Sequence, residues 1–204
     1  MLYWLTLLSD GGDFFNLFRY ITFRAGGAFI TALVFGFIFG RPLIAVLRRT
    51  QGKGQPIRED GPEGHFVKAG TPTMGGLLIV GALLTSTLLW ARLDNPFVWL
   101  VLFVTMSFAA IGFADDYAKV SKQNTAGVSS KIRILLGLLI SIIAGFWASM
   151  YHPEGLQYQL AVPVFKDTLI NMGYFFVPFA VIVIVGAANA VNLTDGLDGL
   201  AIMP

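Results

Sequence analysis

Charged side chains leave four long gaps in this sequence: 23 residues between Lys68 and Arg92, 20 between Asp94 and Asp115, 20 between Arg133 and Glu154, and 27 between Asp167 and Asp195. A helix needs ~20 mostly apolar residues to cross a bilayer, so each gap can hold one. Ala25–Gly40 offers only 16 residues. It becomes long enough when Arg24 and Arg41 extend their charged heads outward from its two ends. The pattern predicts five spans, over roughly Tyr20–Leu47, Met74–Ala91, Pro96–Tyr117, Ile132–Tyr151 and Thr168–Leu193. The fold class that follows is all-α, a polytopic membrane helix bundle forming one membrane domain over residues 1–204. The N-terminus lacks a basic start, and Asp10 and Asp13 interrupt it before a long apolar core develops. The first span is therefore expected to stay in the protein and not to be cleaved as a signal peptide.

Composition strengthens this picture. Charged residues make up 13% of the chain and hydrophobic ones 55%, with 18 Phe, against ~25% charged in soluble domains. Mean hydropathy is +0.70. A soluble domain could not cover so much apolar surface, and disordered chains are polar and charge-rich. The absence of Cys excludes a disulfide framework, a zinc knuckle and a thiol nucleophile. A net charge of +2 is too small to suggest nucleic acid.

The position of the charges gives the orientation. Arg41, Arg48, Arg49, Lys53, Arg58 and Lys68 lie in the first link, and Lys119, Lys122, Lys131 and Arg133 in the link after the third span. The opposite links hold only Arg92 and Lys166, so ten of 14 basic residues share one side. That side is expected to be cytoplasmic, with the N-terminus outside, cytoplasmic loops at about 48–73 and 118–131, and a cytoplasmic motif at 189–199.

Three segments break the apolar pattern, and all three fall on that side. Asp115 and Asp116 close the expected third span. Acids at a helix C-terminus oppose the macrodipole, and adjacent carboxylates repel unless a cation or proton lies between them. A metal or acid–base role fits them, although a helix end simply meeting water would also place acids there. Near the end of the fifth span, Asn189, Asn192 and Asp195 recur every three residues as a polar stripe. Gly196 and Gly199 then allow a sharp turn and close approach to a ligand. A polar seam joining two helices would explain the stripe but not Asp195 and Asp198 set among glycines. Asn192–Thr194 fits a glycosylation sequon on the wrong side of the membrane. The run also lacks the further acids of an EF-hand loop. The third segment, Asp60–Gly76, is rich in Gly and Pro. Its Lys68 offers a cation to phosphate or to a base edge, and Gly75 and Gly76 open the second span with free backbone N–H groups. His65 alone reads as a solvated loop residue. There is no Walker pattern. Gly36-Phe-Ile-Phe-Gly40 matches the small-residue packing pattern, a weak signal among 23 glycines.

Together these segments resemble the bacterial phospho-N-acetylmuramoyl-pentapeptide-transferase family (translocase I). It belongs to the superfamily that moves sugar phosphates from nucleotides to polyprenyl phosphate. The resemblance runs from Phe18–Arg24 through Asp60–Gly76 and Asp115–Tyr117 to Asn189–Pro204, essentially the whole chain, and Asn189–Ala201 is its most specific part. It implies a Mg²⁺-dependent phosphotransferase of peptidoglycan synthesis, in which UDP-MurNAc-pentapeptide and undecaprenyl phosphate give lipid I and UMP. The site would then lie at the cytoplasmic face of the bacterial inner membrane, where a lipid and a water-soluble nucleotide can meet.

By resemblance, Asp115 and Asp116 are the catalytic acids, one deprotonating the lipid phosphate, and also metal ligands. Asn189, Asn192 and Asp195 line the nucleotide–sugar side, and Lys68, Gly196, Leu197 and Asp198 hold the uridine with Thr73 close by. Membrane lipid is a further expected partner, a homodimer is an option, and nucleic acid is not expected. The family continues past Pro204 with further spans, another metal-binding Asp and a histidine-rich loop, so this chain resembles its N-terminal portion. These 204 residues alone are therefore expected not to make lipid I. A transporter or channel is the alternative, since intramembrane acids often mark ion paths, but here the acids gather at one face. A partner-binding fragment is another.

The orientation is testable in this Cys-free chain. Lys53→Cys is expected to react with a membrane-impermeant thiol reagent only after intact cells are opened. Labelling from outside would reverse the topology.

Overall fold

The computed structural model describes residues 1–52, 72–123, 127–153, 155–162, 165 and 168–194. Five α-helices dominate: α1 Ile21–Gln51, α2 Gly76–Trp90, α3 Pro96–Lys122, α4 Ser130–Met150 and α5 Phe176–Thr194. Short 3-10 turns at Leu2–Leu8 and Phe14–Arg19 precede α1, and another at Gly173–Phe175 leads into α5. Ile21–Gln51, Pro96–Lys122, Ser130–Met150 and Gly173–Asn192 are each long and apolar enough to cross a membrane. Large apolar side chains lie exposed along them, including Phe29, Leu33 and Phe37 on α1 and Leu135, Leu139 and Phe146 on α4. Apolar faces of this extent suit lipid as the surrounding solvent, and the chain is a multi-pass membrane protein.

The expected spans differ from the helices most at four places, the first being α1, which runs past Leu47 to Gln51. α2 has 15 residues, about 22 Å at 1.5 Å per residue, against a hydrocarbon core of ~30 Å. Its start is set by Met74, whose φ of 70° is not helical, and its end by the extended Ala91 (φ −74°, ψ 160°). α3 runs past Tyr117 to Lys122. The expected start of the fifth span at Thr168 is instead part of an antiparallel hairpin. There β1 Gln159–Ala161 pairs with β2 Leu169–Asn171, Gln159 opposite Asn171. Residues 169–171 thus use their backbone groups in strand pairing, and the helical segment begins only at Gly173, whose φ is +48°.

The residues divide into two compact units, with α3 contributing to both. The first comprises Met1–Leu102 and Ala109–Val128. In it α1 packs on α2, and the N-terminal turns close one end with aromatic rings. Trp90 stacks on Phe18, with 5.9 Å between centroids and an interplanar angle of 16°, and meets Phe23 edge-on. Its indole N–H donates to Thr31 Oγ1 at 2.9 Å, and the Thr31 hydroxyl donates to the Gly27 carbonyl at 2.8 Å. Gly27 lies under the indole, and a Cβ there would overlap the ring. Gly36 faces open space and Gly40 meets only Leu78, so the Gly36–Gly40 pair is not the close seam of this helix.

The second unit comprises Phe103–Phe108 and Ser129–Pro204. Here α4 meets α5 along a stripe of small buried residues, Gly137, Ser141, Ala144, Gly145 and Ser149. Ser141, fully buried, returns its hydroxyl to the Gly137 carbonyl at 2.7 Å. A Cβ on Gly145 would lie 3.2 Å from Val177 Cγ1. Small side chains let the two backbones approach, which is how helices associate where lipid removes the hydrophobic drive.

Gly27 and Gly36 share one helix but not one environment, and that generates a prediction. Gly27→Ala is expected to destabilise the full-length protein by ~1–3 kcal/mol through overpacking, because stacking and the Thr31 bond prevent Trp90 from yielding. Gly36→Ala is expected to be neutral or stabilising by up to ~1 kcal/mol. Thermal unfolding in detergent measures both, and equal effects would contradict the packing account.

Candidate active site

The expected acid pair lies inside a helix and not at its end. α3 begins with Asn95 capping the Phe97 N–H at 2.9 Å and with Pro96 in its first turn. It continues six residues beyond Asp116, with Lys119 and Lys122 in its last turn, where cations complement the macrodipole. The unfavourable C-terminal placement read from the sequence is thereby removed.

Adjacent residues on a helix point ~100° apart, but a residue three or four positions on faces both. Lys119 occupies that place: its Nζ lies 2.6 Å from Asp115 Oδ2 and 3.6 Å from Asp116 Oδ1. The repulsion between neighbouring carboxylates is thus offset by one shared cation. Side-chain exposure grades across the trio, 9% for Asp115, 18% for Lys119 and 32% for Asp116. Asp115 is the deep anchor and Asp116 the acid open to a ligand.

Backbone and hydroxyl groups complete the set. The other oxygen of Asp115, Oδ1, accepts the Val128 N–H at 2.8 Å, so the chain following α3 folds back onto its acid. Gly127 makes this approach, with φ +58°, and a Cβ there would run into Asp115 Oδ1 and lie 2.9 Å from Lys119 Cε. Thr73 comes from the entry to α2 and donates its hydroxyl to Asp116 Oδ2 at 3.2 Å. Gln51, the last residue of α1, holds both backbone groups of Thr73.

Of the site residues expected from sequence, the structure brings Asp115, Asp116 and Thr73 together. Asn189 and Asn192 are exposed on α5 in the second unit, and the Asn189 amide donates to the Val185 carbonyl of its own helix at 2.8 Å. Lys68, Asp195, Gly196, Leu197, Asp198 and His65 lie outside the described residues. Sequence reasoning missed Lys119, Gln51 and Gly127. The three- and four-residue spacing from the acids could have flagged Lys119. Nothing local marks Gln51.

The cluster presents hard carboxylate oxygens, a hydroxyl and one cation. Among the described residues no third His, Cys, Asp or Glu joins the acids as a metal group. Mg²⁺ is ordinarily held by one or two carboxylates plus waters and substrate phosphates, so this donor chemistry is compatible with that ion.

Fold and site together define an α-helical multi-pass membrane protein with a partly buried acidic cluster on one helix. The chain belongs to glycosyl transferase family 4, whose sequence model matches residues 98–204 and so includes the acid pair. A second match, phospho-N-acetylmuramoyl-pentapeptide-transferase signature 1, covers residues 68–80, which contain Lys68, Thr73 and the start of α2. All 204 residues align with a protein of Ruegeria pomeroyi named phospho-N-acetylmuramoyl-pentapeptide-transferase, at 80% identity. Proteins of the same name from a Ruegeria sp. and from Dinoroseobacter shibae match at 79% and 70%. The chain spans 57% of the length of each of these relatives.

Gly127 tests the geometry of the cluster. Gly127→Ala is expected to destabilise the full-length protein by ~2 kcal/mol or more, combining left-handed strain with the clash against Asp115 and Lys119. Gly173→Ala has a similar φ of +48° and open space around its Cβ, so it measures strain alone. Equal losses in thermal unfolding would remove the contact from the account.

Proposed function

We propose that the full-length protein transfers phospho-MurNAc-pentapeptide from UDP-MurNAc-pentapeptide to undecaprenyl phosphate, giving lipid I and UMP. The reaction would take place at the cytoplasmic face of the bacterial inner membrane. The observation that carries this reading is the juxtaposition of Thr73, inside the matched signature, with Asp116 of the family 4 region. The names and 70–80% identity of the relatives give the substrates. The charge bias of the loops supports the orientation.

In the proposed reaction an oxygen of the polyprenyl phosphate attacks the sugar-bearing phosphorus of the nucleotide. The bond from that phosphorus to the bridging oxygen breaks, and UMP leaves with the electron pair. Such chemistry is mostly positioning and charge stabilisation. Asp116, the more exposed acid, takes a proton from the lipid phosphate where that group is protonated. Asp115 is engaged by Lys119 and the Val128 N–H, and it keeps Lys119 beside Asp116. Lys68, Gly196, Leu197 and Asp198 bind the uridine, and Asn189, Asn192 and Asp195 the nucleotide–sugar side. Mg²⁺, held by Asp115 and Asp116 with substrate phosphates, would supply neutralisation of the diphosphate charge.

Transfer of labelled nucleotide–sugar into the lipid phase by the full-length enzyme tests the reading. Asp116→Asn is expected to lower kcat by ~10²–10⁴-fold, the range for general acid–base groups, with a much smaller change in nucleotide KM. Lys68→Ala is expected instead to raise nucleotide KM. Near-normal turnover in both Asp115→Asn and Asp116→Asn would defeat the catalytic assignment, and no transfer by the unaltered enzyme would defeat the function.

A further inference from the structure

The side chain of Gln51 is a buried polar group with no part in the proposed chemistry. It ends α1 and is followed by Gly52 at φ +55°, where a polar side chain would ordinarily reach water. Gln51 is instead 8% exposed. A buried amide is costly unless its donor and acceptor are both used. Both are used on one residue: the Thr73 N–H donates to Gln51 Oε1 at 2.8 Å, and Gln51 Nε2 donates to the Thr73 carbonyl at 3.0 Å. The side-chain amide acts as a neighbouring strand's peptide group would, and it grips the backbone of Thr73 across 22 positions of sequence.

A second observation concerns the residue that follows. Met74 has φ +70°, a left-handed conformation that strains a non-glycine residue and persists only where its surroundings over-determine it. Its carbonyl accepts the Leu77 N–H at 3.1 Å in the first turn of α2, and on the other side Thr73 is gripped by Gln51. The strained residue is thus held from both flanks. With its backbone fixed, Thr73 aims its hydroxyl at Asp116 Oδ2. Oδ1 of the same carboxylate is left toward Lys119 and toward any ligand entering the cluster.

We propose that Gln51 is a positioning residue of this site, clamping Thr73 so that its hydroxyl fixes the orientation of the Asp116 carboxylate. The consequence for turnover rests on the transferase reading above. The clamp itself does not.

The test uses the full-length enzyme with Gln51→Met, which keeps side-chain bulk and removes both hydrogen bonds, and reads two quantities. Hydrogen exchange at the Thr73 amide is expected to accelerate at least about tenfold, while amides in mid-α2 keep their protection. In the transfer assay kcat is expected to fall about tenfold, equivalent to about 1.36 kcal/mol, with nucleotide KM changed less than about threefold. In a Thr73→Val background the same substitution is expected to change kcat less than about twofold, because a residue acting only through the Thr73 hydroxyl has nothing left to position. Unchanged exchange at Thr73 would overturn the clamp whatever the activity. Unchanged kcat, or a loss that adds fully to that of Thr73→Val, would overturn the positioning role. If mid-α2 amides lose protection as well, Gln51→Glu replaces the Met variant. It keeps the acceptor for the Thr73 N–H and loses the donor, so retained protection at Thr73 with lowered kcat is expected, and wild-type kcat overturns the role. An unaltered enzyme that transfers no label counts against the transferase reading alone, and exchange at Thr73 still decides the clamp.

Discussion

The local structure of the site depends on one lysine placed between two neighbouring carboxylates. Asp115 and Asp116 repel each other as adjacent anions, and Lys119 is the cation that offsets this because α3 continues far enough to present it. The deep member of the pair also captures the Val128 N–H, which directs the chain after α3 back toward the helix and requires a residue without Cβ at Gly127. The shallower member receives Thr73, and through Thr73 the end of α1. Three helix termini and one loop are thus organised around two charges of one sign and one of the other. The exposure gradient from Asp115 to Asp116 accompanies the same arrangement and separates a deep carboxylate from a more accessible one.

Within each unit the helices are arranged for lipid. Large apolar side chains face outward on α1 and α4, while the buried positions of α4 are all small, from Gly137 to Ser149. That inversion has a physical basis. Lipid removes the gain from burying Leu or Phe, so helix contact relies on close backbone approach and on local hydrogen bonds such as Ser141 to Gly137. Where bulk is used internally, as with Trp90 over Gly27, the indole is also tied by a hydrogen bond to Thr31.

Much of this was legible in the sequence because charge is so costly in a membrane. The gaps between charged residues located all five helices, and the broken pattern at Asp115 and Asp116 marked two members of the candidate cluster. The same rule misled at the boundaries. Lys119 and Lys122 read as loop residues because they are charged, yet they extend α3 as its last turn. The stretch Thr168–Asn171 read as span because it carries no charge, and a charge-free strand is not separated by that rule from a membrane helix. Thr73 was reached through a family motif and not from its chemistry, whereas Gln51 and Gly127 left no trace. Their roles arise from contacts across 22 residues and from a positive φ, neither of which a single sequence displays.

The central claim, that Lys119 and the deep acid form one coupled unit, is tested most directly by a double-mutant cycle on the unfolding of the full-length protein. Asp115→Asn and Lys119→Met are made singly and together. Removing either partner alone leaves the other charge largely buried, so the account predicts that each single change is clearly destabilising. The double change is predicted to cost less than the sum of the two by at least ~1 kcal/mol, within the range seen for residues in contact. Additivity within ~0.3–0.5 kcal/mol, the behaviour of independent sites, would contradict it.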